Sequence, residues 1–227
     1  MSFDTLEELL GFTFKDKSII QNAFIHRSYL NEARENLNSN ERLEFLGDSI
    51  LSFIVSKYLY ATFPDLPEGE LTSLRSAIVK TKTLSLIAKE LNLGSYLKLS
   101  KGEAESNGSE NPSLLADTFE ALLGAIFIEH GLPKVEKVID KFLLPKLPLI
   151  IAHKTYKDSK STLQEIVQEK TRTSPAYKVL KEIGPDHAKT FTVGVYQNDK
   201  LLGTGTGKSK QEAEQMAAGD ALEKWEK

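Results

Sequence analysis

The chain has 227 residues, 40% hydrophobic and 27% charged, with no cysteine and a formal net charge of −3. These values exclude a disordered chain, a disulfide scaffold, thiolate metal sites and thiol catalysis, and leave carboxylate and imidazole as the strong metal ligands. No apolar run approaches the roughly 20 residues of a spanning helix, and the start Met1-Ser2-Phe3-Asp4-Thr5-Leu6-Glu7-Glu8 is acidic, so the expectation is a cytoplasmic protein without a membrane partner.

In chain order, the first 150 residues read as helix after helix. Residues 16–29 carry Ile19, Ile20, Ala23 and Phe24 at helical spacing, and residues 40–60 form a long apolar-rich helix. After Pro67, helices are predicted over 68–79 and 83–91. Residues 100–113, with Gly102, Asn107, Gly108, Asn111 and Pro112, read as a polar loop. A strongly apolar helix follows over 114–129, stopped by Gly131, and a last one over 132–142 with Pro133 in its first turn. Pro145 and Pro148 are expected to end helical structure.

Beyond a connector the pattern changes to helix, strands, helix. Residues 160–170 are helical with Leu163, Ile166 and Val167 on one face. Strands are predicted over 176–183, 190–196 and 201–206, the second and third joined by the turn Asn198-Asp199-Lys200. A closing helix over 209–227 turns Ala213, Met216, Ala217, Ala218 and Leu222 inward. The two parts also differ in charge: residues 1–153 carry 16 Lys and Arg against 21 Asp and Glu, residues 154–227 carry 13 against 11. The basic balance of the second part suits a polyanionic partner.

The most informative stretch is Asn40-Glu41-Arg42-Leu43-Glu44-Phe45-Leu46-Gly47-Asp48-Ser49-Ile50-Leu51. At 3.6 residues per turn, Glu41, Glu44 and Asp48 share one face of an apolar helix, where burial gathers negative charge that a metal or a cationic group must neutralise. Asp117 and Glu120, three apart, repeat the pattern in the apolar helix after the loop. If the two helices pack, Glu44, Asp48, Asp117 and Glu120 converge, and Gly47 and Gly124 permit the close approach. Such a set can bind divalent ions, magnesium or manganese being favoured by oxygen ligands, and so serve hydrolysis of a phosphodiester. The plainer reading is that these acids are exposed groups flanking helix starts, favoured by the macrodipole. A di-iron site of the ferritin type would use Glu-x-x-His pairs. None of His26, His130, His153 or His187 has a Glu three residues before it.

Residues 40–51 resemble the nuclease signature of bacterial ribonuclease III almost residue for residue. Further matches are Gly11-Phe12-Thr13-Phe14, His26-Arg27-Ser28-Tyr29, Asn31-Glu32, Glu68-Gly69-Glu70-Leu71, Leu74-Arg75 and the run from Leu115-Ala116-Asp117 to Gly124-Ala125. The C-terminal part resembles a double-stranded RNA-binding domain through the run from Asp158 to Glu165, Gly184-Pro185-Asp186-His187 with Phe191, and Gly205 to Ala218. The resemblance implies an all-α nuclease domain over 1–150, a linker over 151–157, and a small α+β (α-β-β-β-α) double-stranded RNA-binding domain over 158–227. It implies a magnesium-dependent endoribonuclease, with manganese as a substitute, that cuts both strands of double-stranded RNA. The ends would be 5′-phosphate and 3′-hydroxyl with short 3′ overhangs, and the targets rRNA precursors and some mRNAs.

Carried over position by position, Glu44, Asp48, Asp117 and Glu120 become the metal-binding, catalytic carboxylates, with Glu41 and Glu68 as auxiliary acids of the cleavage centre. The family forms a homodimer through the nuclease domain, with the signature helix at the interface. For RNA binding the matching positions are Gln164, Glu165 and His187 in the minor grooves, and Lys208 and Lys210 on the phosphates between, where a helix start adds to their charge. Two departures stand out: Gln211 where the family commonly has a second consecutive lysine, and a loop over Asn107 to Asn111 without basic residues, to which Glu110 adds negative charge. A non-catalytic binder that uses the helical part only for dimerisation could lose these acids, yet every one is present.

Overall fold

The apolar runs at 40–60 and 114–129 become the two central helices of the first of two units, which divide the chain as Met1–Tyr156 and Lys157–Lys227. The structure, a computed structural model, describes residues 2–33, 37–152, 159–185 and 189–225. Among these residues no helix is long and apolar enough to cross a membrane.

The first unit is all-helical: α1 (Asp4–Leu10), α2 (Lys17–Ala23), α3 (Glu41–Thr62), α4 (Glu68–Ile78), α5 (Thr81–Glu90), α6 (Lys101–Glu105), α7 (Pro112–His130), α8 (Leu132–Phe142) and α9 (Leu147–Ala152). Helix α7 is apolar over most of its surface, with Leu115, Phe119, Leu122, Leu123 and Ile126 fully buried, so it occupies the centre. Helices α3, α5, α2 and α8 surround it. Its start is fixed by Asn111, whose side chain accepts the Ser113 N–H at 2.9 Å, and by Pro112, whose missing N–H is no loss in a first turn. It ends at Gly131, which takes φ +73°.

The packed chain departs from the local sequence pattern at several points. Residues 16–29 are not one helix: α2 stops at Ala23, Ile25 pairs with Lys98 in an isolated parallel bridge, and a 3-10 helix runs over Arg27–Asn31. The buried Phe24 ring lies against Phe3 and Tyr96, with centroids at 5.5 and 5.3 Å, and this packing overrides local helical spacing. The polar segment 100–113 contains α6, capped by the Ser100 side chain accepting the Glu103 N–H, and a 3-10 turn over Gly108–Glu110. Pro145 and Pro148 do not end helical structure, because they sit in the first turns of a 3-10 helix (Leu144–Lys146) and of α9. Helix α9 runs to Ala152, and residues 153–157 of the expected connector lie outside the described residues. Helix α1 was not expected. Its buried Glu7 accepts from the Phe14 N–H at 2.6 Å and from the Lys17 ammonium at 2.5 Å, which ties α1 to α2.

The second unit has the expected order: α10 (Ser159–Thr171), β1 (Ala176–Ile183), β2 (Thr190–Gln197), β3 (Lys200–Gly207) and α11 (Lys210–Trp225). The strands form an antiparallel sheet in the order β1-β2-β3. Leu163 and Val167 of α10, Val193 and Val195 of β2, and Ala213, Ala217, Ala218 and Ala221 of α11 make its small core. Met216, expected inside, is 58% exposed, because the alanines on either side of it already fill the narrow space against β3.

Candidate active site and RNA-binding surface

The carboxylates meet because α3 and α7 touch at their backbones. A Cβ at Gly47 would collide with the carbonyl of Glu120, and one at Gly124 with the carbonyl of Leu43. The two glycines thus do what the sequence assigned to them, and the crossing sets the first turns of α3 beside the first half of α7. Asn40, buried ahead of α3, donates its backbone N–H to Ile25 at 2.8 Å and its side-chain amide to Ala23 at 3.3 Å. Buried Thr118 holds its hydroxyl on the Leu114 carbonyl at 2.6 Å, so polar groups beside the acids are satisfied within the fold.

Carboxylate oxygens of Glu44, Asp117 and Glu120 lie within 4.8 Å of one another, and all three residues are half-buried. Among the described residues no Lys or Arg forms an ion pair with them or with Asp48. Burial pushes the Glu120 carboxyl up to about 8, and the charges of Asp48, Asp117 and Glu44 push the same way. Burial also raises Glu44, with Asp117, Glu41 and Asp48 adding to it. Asp117 is raised by burial, while His26 beside it pulls the other way. A set of oxygen donors that repel one another and lack a cationic partner fits a hard divalent cation, which would neutralise them.

The remaining predicted acids sit differently. Asp48 is exposed and outside the group of three, although its charge is the largest electrostatic contribution to the shift of Glu120. Glu41 is exposed, accepts from the Ser39 hydroxyl at 2.8 Å and faces Arg27 at 3.7 Å. Glu68 begins α4, where its carboxylate accepts from the Thr72 hydroxyl at 2.8 Å, and it is not among the converging carboxylates. A cleft of about 290 Å³ opens beside Glu41, Glu44 and Asp117, and its wall includes His26 and Arg27. The motif His26-Arg27-Ser28-Tyr29 assigns these two residues no role by spacing; in the fold His26 caps the 3-10 helix that Arg27 begins.

In the second unit, Gln164 and Glu165 are exposed on α10. His187 lies outside the described residues. Lys210 opens α11, and Lys208 precedes it in a turn held by reciprocal caps: Ser209 Oγ accepts the Glu212 N–H at 3.1 Å, and the Glu212 carboxylate accepts the Lys208 N–H at 2.6 Å. Both lysines are exposed, but Lys210 faces Glu182 of β1 at 3.6 Å and overlies the Phe191 ring at 5.7 Å.

A helical unit whose carboxylate cluster can hold a metal ion, joined to an α-β-β-β-α unit with lysines at a helix start, fits the class of enzymes that act on structured nucleic acid. Comparison with known proteins makes this specific. A family model described as Ribonuclease-III-like matches residues 16–147, and one described as Double-stranded RNA binding motif matches residues 159–224. Ribonuclease 3 of Pelotomaculum thermopropionicum is 45% identical over 220 residues, covering 96% of this chain and 91% of that protein. Ribonuclease 3 of Oceanobacillus iheyensis is 45% identical over 225 residues, 98% of each chain. The solved nuclease domain of ribonuclease III from Campylobacter jejuni is 37% identical, with a TM-score of 0.60, over 65% of this chain and 99% of that one. The chain belongs to the ribonuclease III family. It is an endoribonuclease acting on double-stranded RNA, with the helical nuclease domain first and the RNA-binding domain second.

Proposed function

We propose that the chain is a magnesium-dependent enzyme that cuts both strands of an RNA duplex, with manganese as a substitute metal. The observation that carries this is the approach of Glu44, Asp117 and Glu120 within 4.8 Å without a cationic partner among the described residues. In this reading Glu44, Asp48, Asp117 and Glu120 hold the metal, Asp48 and Glu120 contribute most to catalysis, and Glu41 and Glu68 assist. A bound magnesium ion would lower the pKa of an attacking water and stabilise charge on the displaced phosphoryl oxygen. Glu120, raised to about 8, carries a proton near neutral pH and gives it up when a cation is bound. Hydrolysis that expels the 3′-oxygen leaves 5′-phosphate and 3′-hydroxyl ends.

The same proposal covers residues 1–150 as the nuclease domain, 151–157 as a linker and 158–227 as the RNA-binding domain. The latter would place Gln164, Glu165 and His187 in minor grooves and Lys208 and Lys210 on phosphates. The nuclease domain would pair with a second copy through α3, which exposes Phe45 by 78%, Phe53 by 56% and Tyr60 by 78%, large aromatic surfaces spaced along one side of the helix. Two sites would then face one duplex, each cutting one strand with a short 3′ overhang. A cytoplasmic location with rRNA precursors and some mRNAs as substrates completes the proposal.

The test is incubation of a long RNA duplex with the protein, with and without magnesium, beside Asp48→Asn and Glu120→Gln. The expected result is cutting only with magnesium, reduced by about a hundredfold or more in each variant, as loss of a group stabilising the transition state entails. An uncut duplex with the wild type, or undiminished cutting by both variants, overturns the proposal.

A further inference from the structure

A cation held by the carboxylates would serve the phosphate being cut, and contacts to the rest of the strand then fall to hydrogen-bond donors that line the cleft. The side chains with N–H or O–H donors on the cleft wall are His26, Arg27, Asn40 and Thr118. Two are spent: Asn40 and Thr118 are buried, donating to the carbonyls of Ala23 and Leu114. Arg27 is 73% exposed, and its 3.7 Å approach to a half-exposed Glu41 is too solvated to hold it.

One ring nitrogen of His26 is engaged within the fold. Its Nδ1 receives the backbone N–H of Ser28 at 3.3 Å and lies 2.8 Å from the Ser28 hydroxyl, which itself accepts the Ser100 N–H at 3.0 Å. With Nδ1 turned to the Ser28 backbone N–H and hydroxyl, Nε2 is the ring nitrogen left to donate outward. Nδ1 caps the 3-10 helix over Arg27–Asn31, which orients the ring on the cleft wall.

We infer that His26 and Arg27 form a phosphate-binding subsite of the nuclease domain, with His26 Nε2–H donating to the RNA strand held at the carboxylate cluster and Arg27 engaging a neighbouring phosphate. The subsite rests on the nuclease reading of that cluster. It sets hydrogen-bond donors beside a cluster made otherwise of carboxylates.

The experiment compares cleavage of a long RNA duplex with magnesium by the full chain, wild type beside His26→Asn and Arg27→Ala, over a range of salt. Asparagine keeps an acceptor for the cap and has no donor where Nε2 lies, so a cap-only role predicts wild-type cleavage. The subsite predicts a kcat/KM about tenfold lower for His26→Asn at an unchanged melting temperature, as loss of one hydrogen bond to a charged group entails. For Arg27→Ala it predicts a raised KM and a salt slope shallower by about one. Wild-type kcat/KM and salt slope in both variants, beside a wild type that cuts, overturn the subsite and leave the nuclease reading standing. A wild type that does not cut overturns both. Should His26→Asn fail to melt cooperatively, the salt slope of Arg27→Ala decides, since that exposed side chain is not needed for folding.

Discussion

In the helical domain Gly47 and Gly124 let α3 touch α7, and in the RNA-binding domain Gly203 and Gly205 let β3 lie on Ala217 of α11. Both domains bring backbones together by omitting side chains, yet they treat charge in opposite ways. The α3–α7 crossing gathers acids that have no cationic partner among the described residues and raises Glu120 to about 8. The second domain instead matches several acids with lysines: Lys210 with Glu182 and Lys224 with Asp220 at the surface, and Lys160 with Glu214 half-buried. The catalytic domain stores electrostatic repulsion that a cation relieves, whereas the binding domain presents screened charges that a polyanion has to recruit.

The strongest way to break this comparison is at the helix crossing. Gly47→Ala places a Cβ on the Glu120 carbonyl, where backbone cannot yield as a flexible side chain would. The expected cost is about 3 kcal/mol or more, read as a fall in the melting temperature of the helical domain together with lost cleavage. Gly205→Ala meets the Ala217 backbone and lowers stability in the same way, with RNA binding rather than the metal site as the casualty. A melting temperature unchanged by either substitution would show that the backbones can part.

Relief of repulsion is the next largest effect. Glu120 binds its proton more tightly folded, up to about 8, than at its ordinary value of 4.5. Below 4.5 both states are protonated; as pH rises toward 8 the unfolded chain ionises while the folded one still resists, so metal-free stability declines across that window. Glu120→Gln removes this decline. Near neutral pH it should raise the melting temperature of the metal-free protein by a few degrees, and the gain should vanish below pH 4.5. Calorimetric titration with magnesium in buffers of different ionisation enthalpy should show proton release by the wild type, reduced in Glu120→Gln. An equal proton count in both would remove Glu120 as the source.

The binding domain should respond least. If Lys210 binds phosphate as proposed, Lys210→Ala should weaken duplex binding several-fold, uniformly across sequences, with a salt slope smaller by about one. Glu182→Gln frees Lys210 from its 3.6 Å neighbour and should tighten binding slightly at low salt, by well under tenfold, because the pair is exposed. Opposite signs for the two variants in a filter-binding or anisotropy titration sharpen the contrast; a tighter Lys210→Ala would overturn it.

Periodicity and breakers place α3, α4, α7, α8, α10, the strands and α11 within a few residues, because long amphipathic or apolar runs with glycine and proline stops leave few alternatives. The failures share a cause. Seven-residue α1, the break at Phe24, α6 and α9 are short, and their backbone is decided by contacts distant in sequence. The Ile25–Lys98 bridge and the Asn40–Ile25 hydrogen bond are examples that no local window contains. Met216 was placed inside by helical spacing alone, without the information that glycines in β3 would bring α11 too close for anything larger than alanine.

The sequence by itself determined which carboxylates face the same way along α3 and α7, that Gly47 and Gly124 allow the helices to meet, and that a basic α-β-β-β-α segment follows. Those are properties of spacing and side-chain size. Only the tertiary structure decided that Glu44, Asp117 and Glu120 converge while Asp48 and Glu41 stay at the surface and Glu68 stands outside the group. It alone brought His26 and Arg27 to the wall of the same cleft and set Lys210 against Glu182. Burial and inter-residue distance, which fix charge state and pairing, are properties of the packed chain.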